Sequence, residues 1–168
     1  MILFVFIVFV GCNSKEARSL AKSLEKEKNY HRQLQKSEKV QLYDGHLTKT
    51  MLIATYLNKQ EIDKDAKNNE RFIVGIYSED ENKTSFKNGD YSLTLNNKEP
   101  ISIISIKKDN PLLKDISFTS DWSKFYLVSF EHVSTNKFSL IFKSKLYGKG
   151  ILNFAKVAKY KFEKKTIF

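Results

Sequence analysis

Short apolar segments separated by turn residues are the feature that most constrains the fold of this chain. In Tyr91–Leu95, apolar side chains alternate with Ser92 and Thr94, and the same alternation recurs in residues 138–142. A period of two places the apolar side chains on one face of a strand and the polar side chains on the other. Both segments are therefore predicted to be half-buried β-strands.

Other segments have the length and composition of strands. They are residues 46–57, 72–77, 101–106, 116–118, 125–133 and 152–162. Turn residues separate them at Asp44-Gly45, Asn96-Asn97 and Gly148-Lys149-Gly150. We expect residues 91–95 and 101–106 to form a hairpin around Asn96-Asn97. Seven or eight short strands without intervening helices predict a mainly β protein, folded as an antiparallel β-sandwich.

In residues 46–57, alternation divides the side chains between two faces. One face is predicted to carry Leu47, Met51, Ile53 and Leu57, and the other Thr48, Thr50 and Tyr56. Trp122, the single tryptophan, precedes the strong apolar segment 125–133 and is expected to anchor the core.

The first residues differ from the rest of the chain. Residues 2–10 are all Ile, Leu, Phe or Val, and Gly11 and Cys12, the single cysteine, follow directly. A membrane-spanning helix needs about 20 apolar residues, so this run is too short to span a bilayer. Its length is that of the apolar region of a secretory signal peptide.

The sequence Phe9-Val10-Gly11-Cys12 resembles the lipobox of bacterial lipoproteins. This resemblance implies cleavage between Gly11 and Cys12 and attachment of acyl chains, such as palmitate, to Cys12. Two or three acyl chains would hold the protein stably at a membrane. Two features depart from the usual pattern, because Phe9 stands where Leu is commoner and no Lys or Arg precedes the apolar run.

The segment after Cys12 is polar and is predicted to link the lipid to a folded domain. Ala17, Ala21 and Leu24 have helical spacing, which predicts one amphipathic helix over residues 15–36. The predicted organisation is a signal peptide at 1–11, a lipidated tether with this helix at 12–39, and a β-sandwich at 40–168. Asn13 and Ser14 differ from the inner-membrane retention signal, so we expect an outer-membrane location, on either the periplasmic or the surface face.

The net charge of +10 indicates an anionic partner, although solvated lysines of a Lys-rich composition are the simpler interpretation. Basic residues are concentrated near the predicted last two strands. The candidate anion-binding residues are Lys137, Lys143, Lys145, Lys149, Lys156, Lys159 and Lys161. Their expected ligand is an anionic glycan or a lipid headgroup, whereas nucleic acid is not expected for an exported protein.

No pattern of catalytic or metal-binding residues is evident. His31, His46 and His132 lack the short spacing of metal ligands, and Glu131 and His132 would point to opposite faces of a strand. Asp63 and Asp65 lack the glycine of a calcium-binding loop. Nucleophile and phosphate-loop motifs are also missing. We therefore expect a non-catalytic protein without a cofactor or metal ion.

A second resemblance concerns the body of the chain. Residues 91–97, Trp122 with 125–130, 138–142 and 147–160 resemble small lipoproteins of Campylobacter-type bacteria. This resemblance implies a variant immunoglobulin-like sandwich and a cell-envelope lipoprotein with a binding or adhesion role. It implies no catalytic residues. The alternative is a periplasm-facing structural or accessory subunit of an envelope complex, with a dedicated protein partner.

Overall fold

The computed structural model describes Ser19, Lys22, Ser23 and residues 36–57, 69–80, 85–86, 89–114, 116, 118–120 and 123–156. These residues form eight strands and one short 3₁₀ helix, Pro111–Leu113. The strands are β1 (Ser37–Asp44), β2 (Leu47–Leu57), β3 (Glu70–Ser78), β4 (Tyr91–Leu95), β5 (Ser102–Ile106), β6 (Lys124–Phe130), β7 (Lys137–Ser144) and β8 (Gly148–Ala155). The prediction of a mainly β protein is confirmed.

The strands lie in two antiparallel sheets. The five-stranded sheet has the order β1-β2-β3-β6-β5, and the three-stranded sheet has the order β4-β7-β8. All the strand pairs are antiparallel. The apolar faces of the two sheets form one core, which is consistent with the predicted sandwich.

Aromatic side chains link the two sheets at the centre of this core. Phe72 on β3 contacts Phe138 on β7 and Phe154 on β8, with ring centroids 6.1 and 5.2 Å apart. All three rings are buried. Edge-to-face contacts of this kind add to the free energy that burial of the rings supplies.

A smaller apolar cluster covers the opposite face of the five-stranded sheet. Leu113, in the 3₁₀ helix, and Ile116 pack there against Ile73 and Phe125. Residues 116–118 were predicted to be a strand, and this prediction is wrong. The turn at Asn110-Pro111 directs the segment across the sheet, so Ile116 is buried without joining a strand ladder.

The predicted hairpin of residues 91–95 and 101–106 is also wrong. Asn96 and Asn97 have φ of 48° and 66°, and Leu95 and Lys98 exchange two backbone hydrogen bonds of 2.9 Å, as in a tight hairpin turn. The next hydrogen-bonded pair would need an N–H from Pro100, which has none. The chain instead crosses to the other sheet, where β5 pairs with β6.

Three other details differ from the sequence analysis. In β2 the predicted faces are correct, but the face with Thr50 and Tyr56 is the one that points into the core. Gly148 begins β8, and the turn before it is formed by residues 145–147. The described part of the last strand ends at Ala155, and residues 157–168 lie outside the described residues.

The predicted N-terminal helix is not supported. Within residues 15–36 the structure describes only Ser19, Lys22, Ser23 and Lys36, and these do not make up a helix. Strand β1, which was not predicted, begins at Ser37, within the segment assigned to the tether. Trp122 lies outside the described residues.

Candidate functional site

Two lysines stand directly opposite each other on the outer face of the three-stranded sheet. Lys143 on β7 pairs in register with Lys149 on β8, and both side chains are exposed. Lys145 lies in the turn that joins these strands and is also exposed. The alternation of β7 places Phe142 in the core and therefore Lys143 in solvent. Lys143, Lys145 and Lys149 together are called the lysine cluster below.

The lysine cluster has no neutralising carboxylate among the residues that the structure describes. None of its three ammonium groups lies within 4.0 Å of an acidic oxygen there. Like charges at directly opposite positions of two strands destabilise the sheet. An anion that lies between the ammonium groups would remove this repulsion. The arrangement is therefore suited to binding a phosphate, sulfate or carboxylate group by charge.

Of the other four lysines of the predicted set, the structure describes Lys137 and Lys156, and neither lies in the cluster. Lys137 is exposed but lies at the other end of β7, six residues or about 20 Å from Lys143. Lys159 and Lys161 are outside the described residues. Lys156 lies beyond the end of β8, and its ammonium group forms an ion pair with Glu70.

This ion pair belongs to a buried polar network around Glu70, at the start of β3. The carboxylate is fully buried, and its Oε1 lies 2.7 Å from the Lys156 Nζ and 3.0 Å from the His132 Nδ1. The Val133 N–H donates to Oε1 over 3.0 Å, and the Tyr56 hydroxyl donates to Oε2 over 2.6 Å. The Lys156 ammonium also donates to the carbonyl of Val133. The network thus joins residues from four separate parts of the sandwich.

The network determines which charges its members carry. Burial alone would raise the pKa of the Glu70 carboxyl, but the hydrogen bonds from Lys156, Tyr56 and Val133, with the Lys156 charge, lower it overall. Burial, together with the bond to Glu70, raises the pKa of the Tyr56 hydroxyl. Glu70 is therefore an anion that accepts hydrogen bonds from Tyr56, Val133 and Lys156, and these bonds give it a structural role.

A shallow groove of about 230 Å³ lies beside this network and is lined by Asn96, Lys98, Glu131, His132 and Ser134, among others. Glu131 and His132 were predicted to lie on a strand. Strand β6 ends at Phe130, so both residues lie beyond it. Each has its own partner, since Glu131 pairs with Lys98 at 2.9 Å and His132 contacts Glu70. Three of the polar side chains that line the groove, Lys98, Glu131 and His132, thus already have a partner.

The predicted lipidation and cleavage residues, Cys12 and Gly11, lie outside the described residues, as do His31, Asp63 and Asp65. In the described part of the chain, no helix has the length and apolar character needed to cross a bilayer. Nor are three or more His, Cys, Asp or Glu side chains grouped there in a way that could hold a metal ion.

Glu70 was not predicted as a buried residue, because it is the last residue of a polar stretch and has no spacing that marks it as buried. Tyr43, Leu47 and Leu146, which are exposed apolar side chains in or beside two turns, were not predicted as a surface feature either. No protein-family model matches this chain, and no curated protein or solved structure is significantly similar to it.

Proposed function

We propose that this protein is a non-catalytic lipoprotein of the bacterial cell envelope that binds anionic glycan through its lysine cluster. The observation that carries the proposal is the register of β7 and β8, which holds Lys143 opposite Lys149 without an ion pair to an acidic side chain in the described part of the chain. The lipobox-like sequence that ends at Cys12 supports the anchored, envelope part of the proposal.

The position of the lysine cluster favours a ligand away from the anchoring membrane. The chain enters the sandwich beside Tyr56, whose N–H donates to the carbonyl of Lys36 over 3.0 Å. Strand β1 then runs eight residues, or about 23 Å, to the other end. The cluster is at that other end, where Lys145 donates its backbone N–H to the backbone carbonyl of Asp90, just before β4. A lipid on Cys12 would therefore be attached through the end of the domain opposite the lysine cluster.

The strand order supports the further proposal that the domain is immunoglobulin-like. Strands β2 to β8 take the places of strands A to G in a constant-type immunoglobulin domain, with ABED in one sheet and CFG in the other. Strand β1 is an addition at the outer edge of strand A. In antibody domains a disulfide joins strands B and F, and here Phe72 and Phe138 make the corresponding contact between the sheets.

The experiment compares two sets of three Lys→Gln substitutions that remove the same total charge. The first set is Lys143, Lys145 and Lys149, and the second is Lys39, Lys114 and Lys137, which are also exposed. Retention on immobilised heparin is measured as a function of NaCl concentration. We expect the first variant to elute at clearly lower salt and the second to elute close to the unmodified protein. Equal effects of the two sets would contradict the proposal, because net charge alone would then explain retention.

The second candidate function is that of an accessory subunit with a protein partner. The apolar side chains of Tyr43, Leu47 and Leu146 favour it, because they are exposed in or beside the turns at the same end as the lysine cluster. Exposed apolar side chains of this kind are common in protein interfaces. Protease treatment of intact cells separates the two functions. An adhesin on the surface would be removed, whereas a subunit that faces the periplasm would be protected.

A further inference from the structure

Strand β5 forms one edge of the five-stranded sheet. It pairs with β6 on one side, and no strand of the described residues pairs with its other side. An edge strand presents unpaired backbone N–H and C=O groups, which can be completed by another strand. Natural edge strands are commonly protected by a charged side chain or a proline within the strand. The sequence of β5, Ser-Ile-Ile-Ser-Ile, contains neither.

Two isoleucines at this edge are unusually exposed. Ile104, in the middle of β5, is 54% exposed, and Ile101, directly before the strand, is 56% exposed. Their neighbour Ile103 packs partly against the main core, and Ile106 packs partly against the smaller cluster. Ile103 and Ile106 therefore hold the edge strand on its two faces, whereas Ile101 and Ile104 are exposed to solvent.

The residues that flank β5 carry opposite charges. Glu99 precedes the strand and Lys107 follows it, and both side chains are exposed. Neither makes an ion pair with another described residue. If a second copy of the strand is placed antiparallel to the first, with the two-fold axis through Ile103, Glu99 stands opposite Lys107 of the second copy. The symmetry produces this pairing at both ends.

The same alignment covers the exposed isoleucines. Ile101 faces Ser105 of the second copy, with Ile103 of the second copy as its diagonal neighbour, and Ile104 faces Ser102, with Ile104 of the second copy as its diagonal neighbour. Diagonal neighbours across a pair of strands are within reach of long apolar side chains. A two-fold axis also keeps the buried face of each sheet on the same side. The edge is thus complementary to itself in hydrogen bonding and apolar surface and, at Glu99 and Lys107, in charge.

We propose that β5 is a dimerisation edge, which joins the five-stranded sheets of two copies of this chain through antiparallel pairing of β5 with β5. The interface is isologous, since the same residues contribute from both copies. It is also small, so the dimer is expected to be weak in solution. Confinement of both copies at one membrane would raise their effective concentration and favour pairing. The proposal does not depend on the ligand of the lysine cluster.

The test is sedimentation equilibrium of the full-length chain in detergent, with a charge-swap series. We expect a monomer–dimer equilibrium for the unmodified protein. Glu99→Lys and Lys107→Glu should each weaken dimerisation by roughly tenfold, because two attractive pairs become repulsive. The double variant Glu99→Lys/Lys107→Glu should restore the original dimerisation, since the pairs are attractive again.

A second pair of variants tests the apolar part of the edge. Ile104→Lys should abolish the dimer at concentrations where the unmodified protein is half dimeric. Ile151→Lys is the matched control, because Ile151 is also 54% exposed but lies on β8 in the other sheet. Circular dichroism establishes that each variant is folded. An unmodified protein that stays monomeric at every concentration would overturn the proposal, as would a double charge swap that remains as weak as the single variants.

Discussion

The ammonium group of Lys156 and the carboxylate of Glu70 join the residue after β8 to the first residue of β3, with Nζ 2.7 Å from Oε1. The pair holds the two sheets together at the end of the sandwich where the chain enters. Glu70 is fully buried and the Lys156 side chain is largely buried. The carboxylate accepts two further hydrogen bonds, from Tyr56 and Val133, so the cost of burying the charge is offset by several donors.

Removal of one partner of this pair should destabilise the fold strongly. Glu70→Gln leaves the Lys156 charge without its partner, and Lys156→Met leaves the Glu70 charge without its partner. Each is expected to lower the free energy of unfolding by about 3 kcal/mol, measured by urea denaturation. The double variant Glu70→Gln/Lys156→Met should lose less free energy of unfolding than the two single variants lose in sum. Lys98→Ala is the control, since it breaks the exposed Lys98–Glu131 pair and should lower the free energy of unfolding much less. Equal losses for buried and exposed pairs would contradict this account.

The Glu70 network also predicts a loss of stability in acid. Its pKa in the folded protein is below the usual value of 4.5, so the unfolded chain binds this proton more tightly. The ionised Glu70 therefore contributes to the free energy of unfolding above about pH 4.5, and this contribution is lost as the pH falls through the folded-state pKa. The free energy of unfolding, measured from pH 7 to pH 3, should fall more steeply for the unmodified protein than for Glu70→Gln. Parallel curves would show that Glu70 does not carry this dependence.

Gly150 is the point at which β8 approaches β1. A Cβ atom at residue 150 would overlap Cγ2 of Val40, so the close contact between the two strands requires glycine. Gly150→Ala should lower the free energy of unfolding by about 1–3 kcal/mol, because the added methyl group forces the strands apart. The double variant Val40→Ala/Gly150→Ala should recover part of this loss, which a double-mutant cycle measures. Strictly additive effects would mean that the two residues do not constrain each other.

The lysine cluster predicts that stability and anion binding change in opposite directions. Lys143→Glu replaces a repulsive cross-strand pair with an attractive one, so the free energy of unfolding should rise by roughly 0.5 kcal/mol at low salt. Retention on heparin should fall. Lys137→Glu is the control, because Lys137 stands opposite Ala155 and has no lysine facing it. A destabilised Lys143→Glu variant would contradict the proposed repulsion between Lys143 and Lys149.

The strands could be predicted where side-chain alternation is regular, as in Tyr91–Leu95, because burial of one face leaves a direct pattern in the sequence. Strand pairing could not be predicted in the same way. Asn96 and Asn97 form the expected turn, but the missing N–H of Pro100, four residues beyond Asn96, prevents the hairpin from continuing. The residues of the turn therefore predicted the turn correctly, but they did not predict that β4 pairs with β7 and β5 with β6.

The candidate site was predictable in part for a similar reason. Lys143 and Lys149 are at outward positions of adjacent strands, and their proximity follows once β7 and β8 pair. Lys156 belongs to the same run of lysines in the sequence, yet it pairs with Glu70, 86 residues away. Contacts over such separations depend on the whole topology, which the local sequence does not contain. The burial of Glu70 was unpredictable on the same grounds.

The measurement that tests the central claim most directly is the intact mass of the membrane-extracted protein, with sequencing of its N-terminal peptide. The account predicts a mature chain that begins at Cys12 and carries the mass of two or three acyl chains. Cys12→Ala should remove this mass and release the protein from the membrane fraction. A chain that still begins at Met1 and carries no acyl mass would contradict the envelope location, and with it the proposed anionic ligand of the envelope.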